Sequence, residues 1–248
     1  MPAVSRAIAI LRLLGRERTP LGVKAIARAL DLVPSTALHI LRALVADGLV
    51  QVDATKRYSL GTGMLALARA VLETSGFANL VQPELDRLSR DHAVTAIGVE
   101  TAGVEHMVVL ALSRARTPIR LHVDVGSRFP ALISATGRCV AAFGDRPLIE
   151  LKPRFGALRW QNAPPWKAWC AEVETVRRQG YAVDRGNYIS GITIVAVPVL
   201  NARGHITHTL VCIGLSGQLT RAPLAALARD MRETATALAA NLISSARP

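Results

Sequence analysis

The stretch GVKAIARALDLVPSTALHILRALVADGLVQVDATKRYSL, residues 22–60, changes its period twice. Val23, Ile26, Ala27 and Leu30 recur at helical spacing behind Gly22, a residue suited to a helix N-cap. Residues 31–34 make a tight turn. Residues 35–47 resume the helical period with Leu38, Leu41 and Val45 inward, and Gly48 stops them. Residues 49–52 and 58–60 then read as two short strands around the polar loop 53–57. Upstream, Val4, Ala7, Ile8, Leu11 and Leu14 mark one more amphipathic helix that ends at Gly15. Three short helices capped by a hairpin within about 60 residues predict a winged helix-turn-helix, whose last helix enters the major groove of DNA.

On that reading the third helix carries the sequence-reading residues. Ser35 and Thr36 offer hydroxyls and free backbone N–H groups at its start, and His39 and Arg42 lie on the face away from Leu38 and Leu41. Arg42 suits guanine or phosphate, Lys56 and Arg57 sit at the wing tip, and Lys24 and Arg28 steady the second helix on the backbone. The competing reading of the same residues is a solvated basic face in a protein-interaction module.

Composition sets the outer bounds. The chain has 248 residues, half of them hydrophobic and 19% charged, and no apolar run long enough to span a bilayer. The first ten residues are charged and amphipathic, with no secretory h-region or cleavage site, which points to the cytoplasm. Cys139, Cys170 and Cys212 are odd in number and widely spaced, against both a disulfide framework and a structural zinc. The net charge of +12 suits a polyanionic partner, but the basic excess runs along the whole chain and does not locate the site.

Beyond the hairpin, residues 63–74 are helical and end at Ser75 and Gly76, where a second domain can begin. Helices are expected over 83–90, 134–143, 166–179 and 224–244, strands over 95–100, 106–112, 120–125, 192–200 and 205–213. Strands joined mostly by hairpins, with helices between groups, indicate an α+β domain on a largely antiparallel sheet. The expected division is a winged helix-turn-helix over 1–62, a linker helix over 63–76 and a larger domain over 77–248.

Three groups of residues together carry a family resemblance. Ser35, Thr36, Leu41, Leu44, Gly48, Leu49 and Val50, followed by Arg57, Tyr58, Ser59, Leu60 and Gly61, resemble the N-terminal domain of IclR-type regulators. Val125-Gly126-Ser127-Arg128-Phe129-Pro130 and Ser134-Ala135-Thr136-Gly137-Arg138 resemble the family's effector-loop motif. Gly180-Tyr181-Ala182-Val183-Asp184, with Gly191, Ala196, Pro198 and Gly204, resembles its Gly-Tyr-x-x-Asp segment and the hairpin after it. The resemblance implies a GAF-like α+β effector-binding domain joined by the linker helix to the winged domain. It also implies a homodimer that pairs into a dimer of dimers, with a double-stranded DNA operator and a small-molecule effector as partners, no cofactor and no metal.

By the same resemblance the cavity is lined by Ser134, Ala135, Thr136 and Gly137, by Asp184, and by the strands after Gly191. A helix opening at 135–137 favours a ligand carboxylate, so a small organic acid is the expected effector. Asp184 would accept a hydrogen bond from a ligand hydroxyl or amine; its other reading is a turn aspartate after Gly180. The chain departs from the family where Leu38-His39 replaces the frequent His-Arg pair, so its operator differs. Ile194, Val211, Ile213 and Leu132 stand where members often have polar residues, and with Phe129 they make the pocket more apolar, toward an aromatic acid; the other reading of Phe129 and Leu132 is a core role.

Gly61-x-Gly63-x-x-Ala66 matches a dinucleotide fingerprint but follows a wing strand with no βαβ unit around it. His205 and His208, three apart on a strand, point to opposite faces, so they are not a metal pair. Gly214-Leu215-Ser216-Gly217 falls short of a nucleophile elbow. Trp160, Trp166 and Trp169 around Pro164 and Pro165 read as surface anchors for a helix, with a packed lid as the other reading. The rival from another class is a small-molecule enzyme with an accessory winged domain, which needs a convergent acid–base set that Asp184 alone does not make.

Overall fold

The computed structural model describes residues 2–17, 19–74, 76–114 and 123–245. The chain falls into two compact units, residues 1–74 and 75–248.

The first unit runs α1 (Ala3–Arg16), β1 (Leu21–Gly22), α2 (Val23–Ala29), α3 (Pro34–Ala46), β2 (Val50–Val52), β3 (Arg57–Leu60) and α4 (Gly63–Thr74). Between α2 and α3 the chain turns through 112°, within the range of a helix-turn-helix. Asp31, at φ 50°, makes the corner. Gly48 takes φ 69° just past α3 and lets Leu49 N–H reach back to the Leu44 carbonyl at 2.9 Å. The wing is a three-stranded sheet in the order β1-β3-β2, with Leu21 opposite Tyr58. Two residues are too short to leave a pattern, so β1 had no signal in the sequence.

Ile10, Leu13, Leu14, Ile26, Leu41, Leu44, Val50 and Tyr58 form the core of this unit. Two inward faces differ from expectation. On α3 the buried residues are Ala37, Leu41 and Leu44, with Leu38 and Val45 only half-buried. On α1 they are Ile10, Leu13 and Leu14, while Val4 is 70% and Ile8 43% exposed. Helix α1 is amphipathic, but its apolar arc is broad, running from Leu13 through Ile10 and Leu14 to Val4 and Ile8, so periodicity alone could not say which edge of the arc is buried.

The second unit contains α5 (Gly76–His92), β4 (Thr95–Ala102), β5 (His106–Leu112), β6 (Arg128–Pro130) and α6 (Ser134–Phe143). It continues with α7 (Leu148–Gly156), α8 (Trp166–Gln179), β7 (Ala182–Arg185), β8 (Ile192–Leu200), β9 (Ile206–Leu215) and α9 (Arg221–Ser245). Six antiparallel strands in the order β6-β5-β4-β9-β8-β7 form one sheet. Of the strand expected over 120–125, residues 120–122 lie outside the described residues; 123–125 are not strand, and β6 takes the edge instead.

Both faces of the sheet are covered. Alternate residues of β8 serve two cores: Ile194 and Ala196 pack with α6 and α8, Val195, Val197 and Val199 with α5 and α9. Helix α5 begins seven residues before Pro83, because Phe77, Ala78 and Val81 bury against the sheet and outweigh an interior proline. Trp169 is fully buried and stacks with Trp166 at 5.2 Å, so it belongs to the interior and not to a surface anchor.

His208 stacks on Phe77 at 4.0 Å between ring centroids. Burial pushes its pKa down to about 4. The unfolded chain takes up this proton below about 6.5, where the folded chain does not. Stability from this site is therefore complete above pH 6.5 and is lost as the pH falls toward 4, by up to about 3 kcal/mol. Urea unfolding at a series of pH values should show this loss in the parent and not in His208→Phe; equal slopes in the two proteins would refute it.

Candidate DNA-reading face and effector cavity

Helix α3 opens on Val33 as N-cap and Pro34, with no side chain capping its first turn. Its early N–H groups are therefore free for an acceptor from outside. Ser35, His39 and Arg42 are exposed at i, i+4 and i+7, opposite the buried Ala37, Leu41 and Leu44, and Thr36 is half-buried beside them. Lys24 and Arg28 are exposed on α2.

The wing tip is built by Asp53. Its Oδ1 accepts from the N–H of Arg57 at 2.9 Å, the N–H of Thr55 at 2.8 Å and the Thr55 hydroxyl at 2.7 Å. The Arg57 and Thr55 hydrogen bonds hold its carboxyl below the usual carboxylate range. Asp53 thus stays ionised and fixes the turn, with Lys56 at φ 59°, so that Lys56 and Arg57 both stand exposed.

In the second unit a cavity of about 270 Å³ lies between one face of the sheet and the start of α6. Its floor comes from alternate positions of four strands: Ile97 and Val99, Met107 and Val109, Ile194, and Val211 and Ile213. Ile133, Ser134 and Thr136 close it at the α6 end, Phe129 and Val123 at one side, and Tyr188 and Ile189 at another. Ser134 sits at φ 59°, almost fully buried, with no hydrogen-bond partner for its hydroxyl. A Cβ on Gly137 would stand 2.0 Å from the Leu132 carbonyl oxygen, so only glycine lets the 132–137 turn close this tightly.

Arg138, 1% exposed, holds the wall from behind. Its guanidinium donates to the Ser134 carbonyl at 2.8 Å, to Asp184 Oδ2 at 3.4 Å and to Asn187 Oδ1 at 3.0 Å, and it also pairs with Glu172. Asp184 Oδ1 accepts the N–H groups of Asn187 and Tyr188. Asn187 is clamped in turn: its side-chain amide donates to the Asn162 carbonyl, and its own carbonyl accepts the Asn162 N–H at 2.9 Å. The segment carrying Tyr188 and Ile189 is thereby tied both to α6 and to the loop before α8.

Of the residues expected at this site, the structure brings Phe129, Ser134, Thr136, Ile194, Val211 and Ile213 together in the wall. Leu132, Ala135, Gly137 and Asp184 are buried but not in it. Asp184 spends its carboxylate on the turn and on Arg138, which is closer to its reading as a turn aspartate. Arg138, Tyr188 and Ile189 were missed, as were the wall positions on β4 and β5. Strand parity was available for the latter, but both sheet faces are apolar, so it could not say which parity faces the cavity.

Residues 3–54 match the IclR helix-turn-helix domain, and residues 69–240 match the C-terminal domain of bacterial IclR transcriptional regulators. The chain belongs to the IclR family. This IclR-family protein is a transcription regulator that combines a DNA-binding helix-turn-helix with a C-terminal effector-binding domain. It is 29% identical to the glycerol operon regulatory protein of Streptomyces griseus, over 97% of this chain and 96% of that one. With the Pca regulon regulatory protein of Pseudomonas putida it shares 27% identity over 90% and 78% of the two chains. A transcriptional regulator from Alicyclobacillus acidocaldarius shares its fold at a TM-score of 0.84 and 24% identity, covering 97% and 98% of the chains. Among the described residues of the IclR-family chain, no single helix is long and apolar enough to cross a membrane.

Proposed function

We propose that this protein is a cytoplasmic regulator whose operator binding is modulated by a small organic acid, or a related metabolite, held in the cavity beside α6. The observation that carries the reading is the pairing, in one chain, of an exposed Ser35-His39-Arg42 face with a largely apolar cavity that ends in the unpartnered Ser134 hydroxyl. Among the described residues, Ser134, Thr136 and Tyr188 are the polar ones in the cavity wall and make no acid–base set, which supports a binding role over an enzymatic one. The effector acts by binding the DNA-competent and DNA-incompetent arrangements with different affinity.

The active form is a homodimer that pairs into a dimer of dimers. Leu65 and Leu67 on α4, 68% and 55% exposed, and Val4 and Ile8 on α1 support pairing through a second copy. Each dimer places two copies of α3 in successive major grooves.

The test is fluorescence anisotropy on duplexes selected from a random-sequence pool. Affinity should fall steeply with salt. Arg42→Ala should lower affinity for the selected duplex by about 10- to 100-fold. Lys56→Ala should weaken all duplexes alike and reduce the salt slope by about one. Failure to select any duplex, or binding insensitive to salt, would overturn the DNA-reading assignment.

A further inference from the structure

On the reading that α3 enters the major groove, we infer that Val33 reads a thymine through its C5-methyl group. Val33 stands directly before the first turn of α3 and is 65% exposed. One exposed valine is ordinary on a protein surface. Its setting between the turn and the reading face gives this one a use.

The turn presents Val33 outward and holds it there. Asp31 makes the corner at φ 50°, and the Leu32 N–H donates to the Ala27 carbonyl at 2.8 Å. Leu32 packs against the core of the winged unit, while the residue after it faces solvent. A following proline restricts a residue to extended backbone, and Val33 is found there, at φ −66° and ψ 132° before Pro34. Its carbonyl accepts the Ala37 N–H at 3.0 Å, which ties it to the helix. A β-branched side chain is stiff at χ1, so the isopropyl group has little freedom left to lose on contact.

The tip of the helix is also chemically apart from the rest of the reading face. Val33 carries no polar side-chain atom, and Pro34, also exposed, has no N–H to give a phosphate. Hydrogen-bonding side chains begin at Ser35 and continue at His39 and Arg42. Base pairs present donors and acceptors in the major groove and one apolar group, the thymine methyl. Against any other base the isopropyl group would cover polar edges and strip their water without replacing it. Val33 therefore favours thymine at its place in the operator, independently of what Arg42 contacts.

The experiment is an anisotropy scan of the selected duplex in which each thymine in turn is replaced by uracil, which lacks the methyl and keeps the base pairing. In the parent one position should respond with binding about fourfold weaker, the size of one methyl group leaving an apolar contact. Val33→Ala, whose side chain is too short to keep the contact, should bind the thymine duplex about fourfold more weakly than the parent and respond little to uracil at that position. Its melting temperature should match the parent's, because the side chain is exposed. Comparing parent and variant on both duplexes removes any effect of uracil on the duplex itself.

The two readings fail separately. A flat scan of the parent, an unchanged uracil penalty in Val33→Ala, or parent-like affinity of that variant overturns the assignment to Val33 and leaves α3 as the reading helix. If Val33→Ala keeps the uracil penalty and loses self-association in sedimentation, Val33 belongs to a contact between copies and the inference falls. If no duplex is selected at all, the reading helix falls and the inference falls with it.

Discussion

Arg138→Leu should destabilise the 75–248 unit by about 3–5 kcal/mol, the range for removing one partner of a buried ion pair. Asp184 is fully buried, and among the described residues the loss of the guanidinium leaves its carboxylate with two backbone N–H donors. The Ser134 carbonyl and Asn187 Oδ1 lose a donor in the same step. The bond to Glu172 matters less, since that carboxylate is 47% exposed and returns to water. The double replacement Arg138→Leu with Asp184→Leu should recover much of the loss, because no unpaired charge then remains inside. Urea denaturation of the parent, both single variants and the double variant measures the coupling. A loss below about 1 kcal/mol for Arg138→Leu alone would show that the network is not what holds the wall.

In the winged unit the comparable change is Gly61→Ala. A Cβ there would stand 2.2 Å from the Gly48 carbonyl oxygen and 3.1 Å from the Val50 carbonyl carbon. The neighbours are backbone on both counts, fixed by the Gly61 N–H bond to Leu49 at 2.9 Å and the Gly63 N–H bond to Gly48 at 3.0 Å. Nothing flexible can yield, so the wing must part from the turn after α3, at about 2–3 kcal/mol. The expected result is an early loss of duplex binding on heating, with ligand binding by residues 75–248 retained. Parent-like duplex binding at all temperatures would show that the turn relaxes freely. The same contact accounts for the Gly61-x-Gly63 pair: both glycines serve close packing against Gly48.

Much of the fold was legible because its elements are long and differently periodic. The ranges 134–143, 166–179 and 192–200 coincide with α6, α8 and β8. Where the reading slipped, a local preference lost to packing or had too few residues to show itself. Pro83 looked like a helix start, yet Phe77 and Val81 extend α5 behind it. Helix α7, between Pro147 and an interior Pro153, was hidden by the residues that usually end helices. Strand β7 has four residues and β1 has two.

The cavity was half legible. Ser134, Thr136, Ile194, Val211 and Ile213 came from motif and register, but no local pattern could reveal that Asp184 is consumed by Arg138, 46 residues away. The wall from β4 and β5 depends on which side of a doubly covered sheet stays open. That is a property of the assembled layers and not of any one strand.

Helices α5 and α9 lie side by side, joined by Arg87 and Asp230 through two hydrogen bonds of 2.8 and 2.9 Å. At the start of α5, a Cβ on Gly76 would touch Leu242 near the end of α9 at 3.9 Å. The sensing unit therefore enters and leaves by the same door. Such a module can be spliced into a surface loop of a fluorescent or enzymatic host with short connectors and little strain. Its occupancy could then be read as light or turnover, with no DNA in the assay.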